Sequence, residues 1–154
     1  MNMSKHKNGW TLIEMLIVIA IIAVLASMVI MLTTRINNQS RERSLESTFS
    51  LLDGALQEYH DYWKTFPDPN ESSYPTHSAA LYGQLYATPG SKQILEKLSD
   101  TLVKKTPESN NMPQIYDPWG TVLDYRYDSG DTFPSLISAG PDKIIGTTDD
   151  ITNR

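Results

Sequence analysis

From Met15 to Leu32 every position is apolar except Ser27. As a helix this run spans roughly 27 Å, close to the hydrocarbon thickness of a bilayer, so the pattern predicts a transmembrane helix, lengthened at its front by Leu12 and Ile13. Beyond Thr33 the uniform run gives way to a stripe. Leu45, Phe49, Leu52, Leu56, Tyr59 and Trp63 recur at alternating intervals of four and three, with Arg43, Glu46, Ser47, Asp53, Gln57 and Glu58 between them. That is one face of an amphipathic helix, and its aromatic members read as core rather than as a ligand site. No proline precedes Pro67 and no glycine lies between Gly9 and Gly54. Nothing therefore breaks the chain at the membrane surface, and the pattern predicts a single helix of about fifty residues, its first half in lipid and its second half packed on a small domain.

After the helix, "FPDPNESSY" from Phe66 to Tyr74 reads as a loop. Two short helices follow, with Ser78 as the expected cap of "AALYGQLY" and Ser91 as the expected cap of "KQILEKLSDTLV". "KTPESNNMP" is a second loop. From Gln114 the pattern turns to strands. "DPWG" at Asp117 to Gly120 is a turn signature, "TVLDYRY" alternates with the strand period, "DSGD" reverses the chain and "FPSLIS" returns. The expected fold is α+β: a long N-terminal helix packed on a small antiparallel β-sheet, with short helices in the connecting region and an acidic tail.

Composition narrows the function. The chain has 154 residues and a formal charge of −5, without the clustered basic face that nucleic acid selects. It has no cysteine, so a small extracytoplasmic domain would need a staple other than a disulfide. Lys5 and Lys7 precede the apolar run while Arg35, Arg41 and Arg43 follow it, so charge alone leaves its orientation open. A cleaved signal peptide cut after Val24-Leu25-Ala26 is the rival reading; the run is long for a signal core and continues past that point. His6 lies in the leader, His60 and His77 have no metal partner at helical spacing, and no P-loop, nucleophile elbow or dinucleotide fingerprint is present. A membrane-anchored enzyme is the weaker reading.

Two features carry candidate chemistry. Glu14 places a carboxylate in the first turn of the apolar helix, at a cost of roughly 2.5–3.5 kcal/mol near bilayer depth. Either it snorkels to the interface or it meets a protein partner; the residues alone leave both open. In the tail, "AGPDKIIGTTDDI" sets Asp142, Asp149 and Asp150 around Gly146, without the regular spacing of an EF-hand. Hard cations want six to eight oxygens, which such a loop supplies through carboxylates and carbonyls, and a solvated acidic loop is the alternative. Ala20, Ala23, Ala26 and Ser27 are small residues at helical spacing that would let helices approach closely.

The N-terminal stretch "GWTLIEMLIVIAIIAVLAS" resembles type IV pilins and the pseudopilins of type II secretion systems. Lys5, Lys7, Gly9, Trp10, Thr11, Leu12, Ile13 and Glu14 match their leader, cleavage glycine and following pattern. "YDPWGTVLDYRY" and "SAGPDKIIGTTDDI" look like the C-terminal sheet and calcium loop of the major pseudopilin family. The resemblance implies cleavage by a prepilin peptidase between Gly9 and Trp10 and N-methylation of Trp10. It implies residues 1–9 as a cytoplasmic leader, 10–33 as the transmembrane and filament-core half of the helix, 34–65 as its amphipathic half, and 66–154 as a globular extracytoplasmic part. Glu14 would pair with the Trp10 amine of a neighbouring subunit. Structural Ca2+ would be bound by Asp142 and Asp149, with Asp150 as a rival ligand and backbone carbonyls near Ala139 and Ile145 joining them. The implied partners are further copies of the chain, other pseudopilins, the peptidase and an inner-membrane assembly platform; the implied location is the bacterial inner membrane. A surface pilin for adhesion, motility or DNA uptake is the alternative, weakened by the missing cysteines. Cleavage would remove two of the 13 basic residues against 18 acidic ones, moving the charge from −5 to −7. Two departures stand out: Trp10 where relatives usually carry Phe, and no proline in "VIMLTT" near the end of the apolar run.

Overall fold

The computed structural model describes residues 11–73 and 75–154, the side chains of residues 29–36 excepted. The leader, Gly9, Trp10 and Tyr74 lie outside the described residues. The chain divides into two units, residues 1–39 and 40–154, and α1 (Leu12–Trp63, 52 residues) begins in the first and ends in the second. This is the uninterrupted helix that the absence of breakers predicts. In the first unit the described apolar side chains stand open: Leu12 is 84 % exposed and Ile19 66 %. Among the described residues no helix is long and apolar enough to cross a membrane. The end of the run from Met15 to Leu32, residues 29–32, falls among the side chains that are not described.

In the second unit the stripe of α1 is the centre of the core. Leu45, Phe49, Leu52, Leu56 and Tyr59 are buried together with Leu81, Leu85, Ile115, Leu123, Tyr125 and Leu136. Trp63, expected to extend the stripe, is 55 % exposed, because it is the last residue of α1 and the core ends one turn earlier. Its indole N–H instead donates to the Thr88 hydroxyl at 3.0 Å.

The two short helices form where expected but start earlier. α2 (His77–Ala87) is capped by Thr76, whose hydroxyl accepts the Ala79 N–H at 3.2 Å. Ser78, the expected cap, lies inside α2, buried, where its hydroxyl donates to the Ile115 carbonyl at 3.3 Å and accepts the Ile115 N–H at 3.0 Å. α3 (Pro89–Leu95) starts at a proline, which suits a position whose N–H has no helical partner. Ser91 is again inside the helix and buried, donating to the Ala55 carbonyl of α1 at 2.8 Å. Both serines tie elements together instead of starting them.

The second predicted helix also ends too late. α3 stops at Leu95, and Val103–Lys105 is a strand, β1, paired antiparallel with β2 (Pro113–Ile115). A 3-10 turn, Pro107–Ser109, and Asn110 and Asn111 at positive φ connect them. The remaining strands, β3 (Asp124–Arg126), β4 (Ser135–Ser138) and β5 (Ile151–Thr152), make a separate antiparallel sheet in that order. The expected "TVLDYRY" and "FPSLIS" strands are β3 and β4, with Tyr125 opposite Leu136, both buried. β5 was not expected; it lies at the end of the acidic tail. Arg154 beyond it sits over the Phe133 ring at 4.1 Å.

Tyr125 closes the core at the loop before α2, donating its hydroxyl to the Pro67 carbonyl at 2.8 Å. Burial, with the neighbouring Tyr127 and Tyr59 adding to it, pushes its phenol well above the ordinary value of 10.0. Stability contributed by the neutral phenol is full below pH 10 and falls as pH rises towards the raised folded value. Tyr125→Phe should therefore cost about 1 kcal/mol at neutral pH, yet lose less stability than the parent above pH 10. Leu52→Ala, which empties a fully buried site of the stripe, should cost about 2–5 kcal/mol. Chemical denaturation of the full chain in detergent checks both, as a lower midpoint with an unchanged slope.

Candidate functional sites

The first site is the start of α1. The Glu14 carboxylate accepts the Thr11 N–H at 2.9 Å and the Thr11 hydroxyl at 2.9 Å, while the Glu14 N–H donates to the Thr11 hydroxyl at 3.3 Å. This is a reciprocal capping box, which satisfies backbone donors that the first helical turn leaves without partners. Its signal, Thr-x-x-Glu before an apolar run, stands in the sequence. Glu14 thus stabilises the start of its own helix. Around it Leu12, Ile13 and Leu16 are more than half exposed. Contiguous apolar surface on this scale marks a face that meets lipid or protein. Ser27, the one polar residue of the run, returns its hydroxyl to the Val24 carbonyl at 2.7 Å and so adds no polar demand on that face.

The second site is the acidic loop between β4 and β5. It leaves β4 through Gly140 at φ +64, where a Cβ would stand 2.2 Å from the Asp149 carbonyl oxygen. Only glycine permits this approach. The loop is then stitched by its own acids. The Asp149 carboxylate accepts the Asp142 N–H at 3.0 Å and the Thr147 hydroxyl at 2.6 Å. The Asp142 carboxylate accepts the Ile144 N–H at 2.8 Å, and the Asp150 carboxylate accepts the Gly146 N–H at 2.8 Å. The Thr147 hydroxyl, and after it the Asp142 amide, hold the Asp149 carboxyl below the ordinary carboxylate value of 3.8.

Asp142 and Asp149 are thus joined directly, and Asp150 closes the far side of the same loop. The other oxygen of Asp150, Oδ1, is buried and has no hydrogen-bond partner. A buried carboxylate oxygen left so is costly, and a cation is one of the few groups that relieves it. The donors of the loop are all oxygens, which suits a hard ion. Among the described residues no three acidic or histidine side chains gather closely enough to hold a metal by themselves. An ion here would have to draw on backbone carbonyls as well.

Among the described residues, His60 and His77 stand apart, each with its own neighbours. His60 stacks on Phe66 with ring centroids 4.7 Å apart, and His77 stands 3.6 Å from Asp124, itself paired with Arg126 at 2.7 Å.

The prokaryotic N-terminal methylation motif matches residues 4–30. Over nearly its whole length the chain is similar to proteins named type II secretion system core protein G. It is 29% identical to that of Escherichia coli K12, covering 99% of this chain and 94% of the relative. It is 30% identical to that of Dickeya chrysanthemi, covering 98% and 88%. It is 26% identical to that of Klebsiella pneumoniae, covering 97% and 95%. No solved structure matches significantly.

The loop geometry makes a graded expectation. Gly146, at φ +97, has open space where its Cβ would be, so Gly146→Ala meets only backbone strain, about 1–2 kcal/mol. Gly140→Ala adds the collision with Asp149 and should lower the melting temperature further than Gly146→Ala does. Thermal melts of the two variants in the full chain check the order.

Proposed function

Because the chain belongs to the type II secretion system core protein G family, we propose that it is cut between Gly9 and Trp10 and polymerises through its N-terminal helix into a secretion pseudopilus. It is a pseudopilin, a membrane-associated structural subunit and not an enzyme. The observation that carries the reading is the methylation motif at residues 4–30 on a chain that aligns over 98% of its length with a core protein G.

In this reading residues 10–33 cross the inner membrane once, with the leader in the cytoplasm and the rest of the chain on the far side. The uniform apolar run supports the span, and the leader pattern supports the orientation. Prepilin peptidase removes the leader, and the new Trp10 amine is the cation that Glu14 of a neighbouring subunit meets. In a helix bundle of low dielectric an unpaired carboxylate is heavily penalised, so the pair sets the register of each incoming subunit. The capping box supports this role, because it holds the Glu14 side chain at the start of its own helix. Other pseudopilins and an inner-membrane assembly platform are the remaining partners.

Calcium is the staple that the missing cysteines cannot supply. Asp142 and Asp149 would hold it, with Asp150 as the rival side-chain ligand, together with carbonyls of the loop, and its chemistry would be purely structural: it neutralises the acids and fixes the loop. The partnerless Asp150 oxygen and the junction of Asp142 with Asp149 support this set. A chelator should lower the melting temperature of the full chain in detergent, and an unchanged melt would remove calcium from the account.

Glu14 variants separate the two roles of that side chain. Glu14→Gln keeps an acceptor for the capping box and loses the charge; Glu14→Ala loses both. Both proteins should insert into the membrane, and both should fail to build filaments or restore secretion in a deletion strain. Normal filaments from Glu14→Gln would reduce Glu14 to a helix cap. A deletion strain that secretes normally but lacks surface fibres would instead make the chain a type IV pilus pilin.

A further inference from the structure

Asp117 opens the "DPWG" turn, where the pattern assigns it only a turn role, yet it is 2 % exposed and makes more contacts than a turn needs. Its Oδ1 accepts the Trp119 N–H at 3.0 Å and the Thr121 N–H at 2.8 Å. Its Oδ2 accepts the hydroxyl of Ser138, at the end of β4, at 2.7 Å. Ser138 is fully buried and in turn accepts the Gly140 N–H at 3.1 Å. That N–H belongs to the same rigid peptide unit as the Ala139 carbonyl, so holding one fixes the direction of the other. Gly140 is the residue that lies against the Asp149 carbonyl, too close for any Cβ. One unbroken line of buried contacts therefore runs from the turn, through Ser138, to the closure of the acidic loop.

We propose that Asp117 is a positioning residue for the calcium loop, acting through the Ser138 hydroxyl to orient the Ala139–Gly140 peptide on which Asp149 closes. The inference rests on the calcium reading given above. Groups that orient ligands without touching the metal commonly govern affinity as strongly as the ligands themselves. Asp117 does so here without being one of the loop's acids. Its carboxylate anchors one end of the line to the turn, and the hydroxyl transmits that position across 21 residues of chain.

The test is a calcium titration of the full chain in detergent, read as the calcium concentration that gives half the maximal rise in melting temperature. A second melt in chelator reads the stability of the fold without the ion. Ser138→Ala breaks the line and leaves the turn contacts of Asp117 in place. It should raise the half-point roughly 10- to 100-fold. Ser138→Thr, which keeps the hydroxyl, should restore it. Asp117→Asn keeps an oxygen for the Trp119 and Thr121 amides and puts an amide N–H opposite Ser138, and it should raise the half-point in the same way even if Ser138→Ala does not fold. Variants that melt lower in chelator but keep the parent's half-point overturn the proposal, since Asp117 would then only support the fold. A parent chain that shows no response to calcium overturns the calcium reading, and this proposal with it; that failure is told apart because it is seen before any substitution.

Discussion

Burial of one stripe of α1 is the interaction on which the rest of the folded unit depends. Each fully buried leucine of the stripe contributes on the order of 1.5–3 kcal/mol by leaving water, and Leu45, Leu52 and Leu56 are all fully buried. The other elements are short: α3 has seven residues and, among the described residues, no strand exceeds four. Elements of that length do not persist alone, and here they are held by side chains that reach across to the helix or to one another. Ser91 reaches the Ala55 carbonyl, Ser78 holds Ile115 of β2 to α2, and Asn153 beyond β5 donates to Asp53 of α1 at 2.7 Å. The helix is the surface on which the small sheets are assembled.

The acidic loop enters this scheme through its position between β4 and β5. β5 pairs with β4 at Ser138↔Ile151 and Ile137↔Thr152. Its arrival there, and that of Asn153 against Asp53, is set by how the intervening residues close. A loop closed by carboxylates that accept its own amides is well ordered but carries concentrated negative charge. Glycine at Gly140 answers the steric half of that problem, and the proposed calcium would answer the electrostatic half. The sheet edge and the C-terminal contact with α1 are then consequences of loop closure.

The long helix was legible because two strong rules agreed over many residues: unbroken apolarity or a 3.6-residue stripe, and no proline throughout and no glycine before Gly54. The stripe misled only at Trp63, where periodicity continues but the core does not. Smaller elements were read by type and missed by position. Ser78 and Ser91 looked like caps, but Thr76 and Thr88 precede them, and the serines are spent on Ile115 and Ala55. β1 and β5 were missed because three- and two-residue strands are too short for alternation to register, and because Val103 also fits a helical face. Of the sites, the acids of the loop were visible as composition and their mutual hydrogen bonds were not. Thr11 was in plain sight as a capping-box residue beside Glu14. Asp117 was invisible as anything but a turn residue, since Ser138 lies far from it in the chain.

The functional account turns on a group that the translated chain does not yet possess, the amine at Trp10, and on when it is created. Mass spectrometry of the N-terminus of the protein recovered from membranes tests this most directly. The account predicts a mature chain that begins at Trp10 and carries a methyl group on its amine. A mature chain beginning at Ser27 would contradict it, showing that the apolar run is a signal peptide cut after Ala26 and that Glu14 never reaches a filament.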